Sequence, residues 1–300
     1  MFDEYYRGKS MKILVIGVSS YDTLIYVDNL PTQKEDAALC AKKVAYSIGG
    51  TGAGKALALS VLGAKTSLAT DIGNDEVRDK ILAFLKQEEI ELTILKADKS
   101  TTHTNIMYGN GKRISIFTSS PQNVEYNPTV EELIASSDVV FLNINDYCRD
   151  YIQIIKKIKK TMIVDIHDYD LGNPYHQEFI DAADILFASG VNIIEQEQFL
   201  NNYIKGRELV IITNGDKGSI AIDKNKKIYH QESYNVKDLV DTNGAGDSYS
   251  AGFVFKYIKT ESVEESLKFA SICGALSCMS QDLYNPKATE EYVESLMKDF

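Results

Sequence analysis

A glycine-rich segment in the last quarter of the chain has the residues best suited to chemistry. Its eight residues, DTNGAGDS, run from Asp241 to Ser248. It follows a short apolar piece, residues 238–240, that predicts a strand, and the pattern after it predicts a helix over 248–259. Glycines at a helix start leave backbone N–H groups open to an anion, and the helix dipole favours negative charge there. Asp247, at the same end, suits a base that takes a proton from a hydroxyl attacking a phosphate.

An alternative interpretation of this segment needs no chemistry. An aspartate at a helix N-terminus can be a simple cap beside a glycine turn. The strand-to-helix context and the ordered spacing of the whole segment favour the functional interpretation.

A second glycine-rich segment, GGTGAGKA at residues 49–56, nearly spells a phosphate-binding P-loop. That motif requires Ser or Thr after its lysine, because the hydroxyl binds Mg²⁺. Here Ala56 follows Lys55, and residues 46–48 make a poor central strand. We therefore reject a P-loop, and we expect Lys55 to be solvated on a helix surface rather than to meet a charged group of a substrate.

Apolar segments of strand length alternate with helix-like segments along most of the chain. The clearest of them predict strands at 13–16, 66–70, 138–142, 161–165, 185–187 and 209–213, and helices at 76–88 and 151–160. This alternation is typical of an α/β protein with a parallel sheet covered by helices on both faces.

Two segments interrupt the alternation and predict a small sheet beside the main one. They are residues 23–46 and 102–118, and the second has the pattern of a hairpin with GNGK (109–112) at its turn. No linker or repeat separates the parts, so we expect one domain over 11–300, with residues 1–10 as a flexible extension.

Composition and charge exclude several classes of function. The 300 residues are 44% hydrophobic and 25% charged, which is ordinary for a soluble globular protein. The net charge of −11 argues against non-specific binding to nucleic acid or to an anionic membrane. The absence of a secretory signal and of a bilayer-length apolar run predicts a cytoplasmic protein. The four cysteines and four histidines show no metal-ligand spacing, and His103 is expected on the surface of the small sheet.

Both glycine-rich segments resemble signatures of the PfkB (ribokinase-like) carbohydrate kinases. The C-terminal signature of that family, D-T-x-G-A-G-D, is matched here by Asp241, Thr242, Gly244, Ala245, Gly246 and Asp247. The N-terminal signature begins Gly-Gly and runs into a small-residue helix that ends Leu-Gly, as Gly49-Gly50 and Leu62-Gly63 do here. The two signatures occur in the expected order.

The resemblance implies a fold, cofactors and partners. The fold is a ribokinase-like three-layer α/β/α arrangement with a mainly parallel central sheet, and the small sheet is a lid over the acceptor. ATP and Mg²⁺ are the implied cofactors, and the acceptor is a sugar, a sugar-like alcohol or a nucleoside. In this family the lid often supplies the dimer contact, which implies a homodimer through the lid.

The resemblance also implies which residues act on the phosphate and on the acceptor. Asp247 is the general base, and the backbone of Gly244, Ala245 and Gly246 is the anion hole. The residues implied to bind the acceptor are Asp22, Gly49, Gly50 and Thr51.

Further positions match the nucleotide site of the family. The residues implied to bind the nucleotide are Asn192, Thr213, Gly215, Gly218, Thr242, Cys273 and Ser277. Glu195 completes an N-x-x-E element with Asn192; the two are expected one turn apart on a helix face, with Glu195 holding Mg²⁺ through water.

One departure from the family leaves the acceptor open. Thr51 and Gly54 stand where the family commonly has asparagines, the first of which usually hydrogen-bonds substrate hydroxyls. A nucleoside kinase of the same fold is therefore an alternative to a sugar kinase. A nucleotide-binding regulatory protein without catalysis is a third hypothesis, against which the presence of Asp247 argues.

Overall fold

The computed structural model describes residues 11–30, 38–109, 112–170, 172–236 and 238–300. The predicted extension 1–10 and the centre of the predicted hairpin turn, residues 110 and 111, lie outside these ranges. The strands within them are β1 (Lys12–Ile16), β2 (Ser20–Tyr26), β3 (Lys43–Gly49), β4 (Lys65–Gly73), β5 (Ile90–Ala97), β6 (Thr101–Tyr108), β7 (Lys112–Ser119), β8 (Val139–Leu142), β9 (Thr161–Asp165), β10 (Ile185–Ser189), β11 (Leu209–Thr213), β12 (Ser219–Asp223) and β13 (Ile228–Gln231).

The α-helices of the described ranges occupy most of the segments between the strands of the main sheet. They are α1 (Thr51–Val61), α2 (Arg78–Leu85), α3 (Thr129–Ser136), α4 (Arg149–Ile158), α5 (Gln177–Ala182), α6 (Gln196–Tyr203), α7 (Ala245–Thr260), α8 (Val263–Ser277) and α9 (Glu290–Met297). None of these helices is long and apolar enough to cross a lipid bilayer.

The main sheet has nine strands in the order β13-β12-β11-β10-β9-β8-β1-β4-β5. The seven strands from β11 to β5 run parallel to one another, whereas β12 pairs antiparallel with both β11 and β13. The chain leaves β1 towards β4 on one side and later returns to β8 on the other, so the direction of strand order reverses at β1. In open parallel sheets, ligands bind in the crevice outside the carboxyl ends of the strands at such a point.

Helices cover both faces of this sheet, and strand β1 is therefore buried on both sides. Ile13 and Val15 belong to the core cluster shared with α1, α7 and α8. Leu14 and Ile16 belong to the cluster on the opposite face, shared with α3, α4 and α6. Because successive side chains of a strand alternate between faces, a strand buried on both sides is an unbroken apolar run. The predicted α/β class is confirmed.

The second sheet has four strands in the order β3-β2-β6-β7. The central pair β2 and β6 is parallel, and the two outer pairs are antiparallel. One face buries Asp22 and Asn105, while the other exposes apolar side chains of the two edge strands. These strands come from the two segments that interrupt the β-α alternation in the sequence.

The strand predicted at residues 238–240 is absent, and this prediction is wrong. Leu239 and Val240 are 58% and 46% exposed. The backbone N–H of Val240 donates to the carbonyl oxygen of Cys278 instead of to a sheet neighbour. A short segment without a neighbouring strand edge cannot form a sheet ladder.

Two predicted helices have different bounds in the structure. The helix predicted over 248–259 begins earlier, at Ala245, so that Asp247 lies in its first turn. The helix predicted over 76–88 is shorter and covers only Arg78–Leu85.

Candidate active site

Polar residues meet at the carboxyl ends of the parallel strands. Asn143 follows β8, Asp165 ends β9 and Thr213 ends β11, while the chain after β1 leads to Asp22 in β2. Sequence reasoning identified Asp22 and Thr213 and missed the other two. A polar residue at the end of a buried parallel strand was the available signal for both.

Helix α1 begins at the edge of the small sheet. Gly49 ends β3, and Gly50 is the N-cap of the helix. The N–H groups of Gly52 and Ala53 donate to the carbonyl oxygen of Val18, at 3.1 and 3.2 Å. This helix start follows no central strand and its donors bind the protein's own backbone, so it is not built as a P-loop.

Helix α7, in contrast, begins at an open helix end. Its N-cap, Gly244, has φ of 78°, and a side chain there would overlap the carbonyl of Leu283. The N–H of Ala245 donates to the carbonyl oxygen of Thr242 at 3.3 Å. Gly246 is exposed, as is Thr242. The first turn of a helix leaves N–H groups without a helical partner, so this end offers donors and a favourable dipole to an anion.

A buried ion pair links the two glycine-rich segments. The ammonium of Lys55, on α1, lies 2.5 Å from Asp247 Oδ1 and 3.2 Å from Asp165 Oδ2. Lys55 is fully buried and Asp247 is 8% exposed. The prediction that Lys55 is solvated is therefore wrong. Helix α1 is buried along most of its length, and two carboxylates compensate the buried charge.

The three charged groups shift the pKa of one another. Burial raises the pKa of Asp247, with Lys55 and His167 acting against it. Burial also opposes ionisation of Asp165, but His167 and Lys55 outweigh it, and the pKa of Asp165 is lowered. Burial acts to lower the pKa of Lys55, but the two carboxylates outweigh it and the pKa is raised. Lys55 thus stays charged, and Asp247 is the better proton acceptor of the two carboxylates.

His167 borders this cluster, and sequence reasoning missed it. Its Nδ1 lies 3.4 Å from Asp165 Oδ1, and its backbone N–H donates to the same oxygen at 3.0 Å. One ligand atom each from Asp165, His167 and Asp247 lie within 4.8 Å of one another, a spacing that would suit a metal ion. The Lys55 ammonium contacts both carboxylates, so the cluster is organised around a cation of the protein itself.

Asp22 is held by the small sheet. It is 3% exposed. Its Oδ1 accepts from the Ser20 hydroxyl at 2.6 Å and its Oδ2 from the Asn105 amide at 2.9 Å. Gly49 lies against the same carboxylate, where a side chain would overlap it. The carboxylate is therefore fixed in position before any ligand binds.

His103 contacts Asp22, and its predicted surface position is wrong. Its Nδ1 lies 3.0 Å from Asp22 Oδ1, and its side chain is only 13% exposed. The ring packs edge-on against Phe117, with centroids 4.4 Å apart, and its buried Nε2 has no hydrogen-bond partner among the residues that the structure describes. The register of β2 and β6 pairs Asp22 with His103, which sequence reasoning did not foresee.

Thr51, the first residue of α1, has its hydroxyl engaged within the protein. The hydroxyl oxygen accepts from the Asn143 amide at 2.5 Å. Thr51 therefore joins the helix start to the end of β8, and its role towards an acceptor stays a prediction.

Asn192 and Glu195 do not share a helix face, and this prediction is wrong. Asn192 ends a short 3-10 helix, Gly190–Asn192, and α6 begins only at Gln196. Ile193 between them is extended, with φ of −100° and ψ of 98°. Both Asn192 and Glu195 are exposed at the carboxyl edge of the sheet.

The turn after β11 is tied to the segment after β10. Asn214 and Gln196 exchange two amide hydrogen bonds, at 2.7 and 3.0 Å. Thr213 is half-buried at the end of its strand, Gly215 begins the 3-10 turn that leads to β12, and Gly218 follows that turn. The two loops implied to bind the nucleotide thus form one connected surface.

Cys273 and Ser277 lie inside helix α8 and face the protein core. The Cys273 thiol is buried against Gly252 of α7. The Ser277 hydroxyl donates to the carbonyl oxygen of Leu283 at 3.2 Å. Their implied contacts with a nucleotide stay predictions.

The main sheet reverses its strand order, helix α7 begins at an open end, and a carboxylate is buried in the first turn of that helix. This combination of fold and site is that of a ribokinase-like sugar kinase. The sequence pattern of the family described as pfkB family carbohydrate kinase matches residues 10–290. The chain belongs to this family.

Known proteins with similar sequence or structure agree with this assignment. Acarbose 7(IV)-phosphotransferase from Actinoplanes sp. is 26% identical over 275 residues, covering 89% of this chain and 91% of that protein. A nucleoside kinase from Methanothermobacter thermautotrophicus is 28% identical over 278 residues, covering 86% of each. The solved structure of a microbiome-derived acarbose kinase superposes with a TM-score of 0.86 at 22% identity, covering 97% of this chain and 99% of that one. The last likeness confirms the ribokinase-like fold.

A further buried carboxyl, Asp71 on β4, lies outside this cluster. It is 1% exposed and accepts hydrogen bonds from the hydroxyls of Tyr147, at 2.8 Å, and Thr101, at 3.3 Å. Burial raises its pKa from 3.8 to about 6, against the effect of these hydrogen bonds. The folded state therefore holds this proton more tightly than the unfolded chain does.

We expect Asp71 to make folding stability fall with rising pH. The pKa of Asp71 is higher in the folded state than in the unfolded chain, so ionising this carboxyl lowers the free energy of unfolding. This loss of stability is absent below about pH 4, grows as the pH rises to about 6, and then stays at about 3 kcal/mol. Asp71→Asn should therefore gain about 3 kcal/mol relative to the wild type between these limits, measured by urea unfolding across pH 4 to 7.5. An exposed control, Asp299→Asn, should show no such gain. Parallel stability curves for wild type and Asp71→Asn would contradict the expectation.

Proposed function

We propose that this chain transfers the γ-phosphate of ATP to a hydroxyl of a sugar or sugar-like acceptor, with Asp247 as the general base. The observation that supports this most is the position of Asp247. Its carboxylate is buried in the first turn of α7, at the strand-order reversal where parallel sheets bind ligands.

The chemistry follows from the position of a carboxylate beside an open helix end. The acceptor hydroxyl oxygen forms a bond to the γ-phosphorus as the bond from that phosphorus to ADP breaks, and the hydroxyl proton passes to Asp247. Burial raises the pKa of Asp247, which brings its proton affinity closer to that of a base working near neutral pH. The backbone of Gly244, Ala245 and Gly246 stabilises the charge on the transferring group.

The residues around the C-terminal half of the sheet fit a nucleotide with Mg²⁺. Asn192 and Glu195 offer exposed amide and carboxylate oxygens, the donors that Mg²⁺ prefers. Glu195 would hold the ion through water, and the ion would neutralise phosphate charge. The nucleotide would lie along Thr213, Gly215, Gly218 and Thr242, on the side of the sheet that also carries Asn192 and Glu195.

The acceptor binds at the Asp22 carboxylate. A carboxylate offers only acceptors and so suits adjacent hydroxyls, and Gly49, Gly50 and Thr51 border the same space. The exposed ring of Phe117, beside His103, offers an aromatic face to a sugar ring. The similarity to an acarbose phosphotransferase supports a carbohydrate acceptor.

A nucleoside is the second candidate for the acceptor. The same Phe117 ring could stack on a nucleobase, and a nucleoside kinase is among the relatives at 28% identity. A screen of ADP release over sugars, sugar phosphates and nucleosides separates the two classes.

The small sheet acts as a lid over the acceptor. It contributes Asp22, and its β7 residue Arg113 donates to Asn243 Oδ1 at 2.5 Å, within the segment that starts α7. At the opposite edge of this sheet, Lys43 donates to Gln281 Oε1 at 3.3 Å. These contacts close the lid against the main domain, which would exclude water from the reaction.

The outer face of the lid joins two copies of this chain. It exposes apolar side chains on both edge strands, namely Val44, Tyr46, Ile114 and Ile116. A continuous exposed apolar face is typical of a protein contact surface, and the family resemblance points to a second copy as its occupant.

We expect Asp247→Asn to lower kcat by about 10²–10⁴-fold, because the amide cannot take the proton. The variant should still bind ATP, measured by titration calorimetry, and Asp238→Asn, an exposed neighbour on the preceding loop, should keep wild-type turnover. The assay uses an acceptor found in the ADP-release screen. Near-normal turnover by Asp247→Asn would overturn the assignment of the base.

We expect the wild type to sediment as a dimer and Ile116→Lys to sediment as a monomer at micromolar concentration. The lysine places a charge on the apolar lid face, where burying it in a contact is costly. Analytical ultracentrifugation measures both, with Ala135→Lys, on the exposed side of α3, as the control. A monomeric wild type, or an unaffected Ile116→Lys dimer, would rule out the lid contact.

A further inference from the structure

Lys55 has a role that neither the exposed part of the site nor the family signatures explain. It is fully buried and its ammonium contacts two carboxylates. A group with no exposed surface cannot bind the acceptor directly. Any effect of Lys55 on the reaction must therefore act through Asp247 or Asp165.

The neighbouring glycine supports such a role. A Cβ atom at Gly54 would lie 2.7 Å from Asp247 Oδ2. The missing side chain makes room for one carboxylate oxygen, while Lys55, the next residue, binds the other. One turn of α1 thus binds one oxygen of the carboxylate and leaves space for the other.

The charges around Asp247 explain why a cation is needed. Helix α1 contributes Lys55, and the segment that begins at the end of β9 contributes Asp165 and His167. Two carboxylates that share a buried site disfavour each other's ionisation, and such a pair holds one proton at a pH where separate carboxylates would have lost both. An ammonium between them removes this repulsion.

We propose that Lys55 is a positioning residue that keeps Asp247 ionised and oriented to receive the acceptor proton, with Asp165 as the second anion that holds the ammonium in place. This inference rests on the proposed function of Asp247 as the base. During transfer the proton moves from the acceptor hydroxyl to Asp247. Lys55 keeps its own proton, because Asp165 still neutralises it once Asp247 is uncharged.

The pH dependence of kcat/KM for the acceptor tests this role. In Lys55→Met, of similar length and without charge, the acid limb of the profile should move to higher pH by a unit or more, equivalent to tenfold or more loss of activity on that limb. In the double variant Lys55→Met/Asp165→Asn the limb should move back towards the wild-type position, because the repelling carboxylate is gone. Lys65→Met, at an exposed position at the start of β4, is the control for loss of a lysine.

A second variant keeps the test decisive if Lys55→Met does not fold. In Asp165→Asn, Lys55 keeps the Asp247 carboxylate while the repelling Asp165 charge is gone, so the acid limb should move to lower pH. A merely structural role for Lys55 would lower kcat equally at all pH values or lower the unfolding temperature without moving the limb. Either result, with unmoved limbs in all three variants, would overturn the proposal.

A measurement without turnover separates this proposal from the proposed function. The titration of the Asp247 carboxyl can be followed by carbon-13 NMR on protein with labelled aspartate, with the signal assigned by its loss in Asp247→Asn. The Asp247 titration should move to higher pH in Lys55→Met and to lower pH in Asp165→Asn. If the wild type phosphorylates no acceptor, the proposed function fails, while unchanged titrations would refute the role of Lys55.

Discussion

The ion pair between Lys55 and Asp247 is the interaction on which the geometry of the site depends. Burying two carboxylates beside each other is costly unless a cation compensates them, and a buried pair that loses one partner leaves an uncompensated charge. The pair also joins residues 192 positions apart in the chain. It therefore fixes the distance between the two glycine-led helices, α1 and α7, that enclose the crevice.

The topology makes this meeting possible. Helix α1 follows β3 of the small sheet, and α7 follows the last strand of the main sheet, yet both helices pack on the same face of the main sheet. The reversal of strand order at β1 opens the crevice beneath them, and Asp165 enters it from the end of β9. Each part of the chain supplies one component: Asp22 comes with the small sheet, the cation with α1, and the base with the open start of α7.

The sequence allowed the class and the fold to be predicted, because these depend on local patterns, while the role of Asp247 as the base stays a proposal. Unbroken apolar runs identify strands buried on both faces, as in β1, and the DTNGAGDS segment combines a helix start with a carboxylate. The errors at Lys55 and His103 have a common physical cause, since both concern a contact between distant segments. Lys55 resembles a surface lysine until Asp165 and Asp247 are brought to it, and His103 is placed beside Asp22 only by the parallel register of β2 and β6.

Local backbone geometry accounts for the remaining differences. Asn192 and Glu195 have helix-like spacing, but the extended Ile193 between them separates a 3-10 turn from α6. The substitution of glycine for the usual asparagine at position 54 becomes intelligible in the structure, because Gly54 leaves room for the carboxylate that Lys55 binds. The departure from the family pattern and the unusual buried lysine are therefore parts of one arrangement.

In the proposed reaction Asp247 acts only on a proton, while the phosphoryl group passes directly from ATP to the acceptor. The stereochemical course at phosphorus, followed with ATP whose γ-phosphate is made chiral by oxygen isotopes, tests this most directly. A single in-line displacement inverts the configuration, and inversion is the result that this account predicts. Retention would show two successive displacements through a phosphorylated enzyme, with Asp247 or another residue as nucleophile, and would contradict the account.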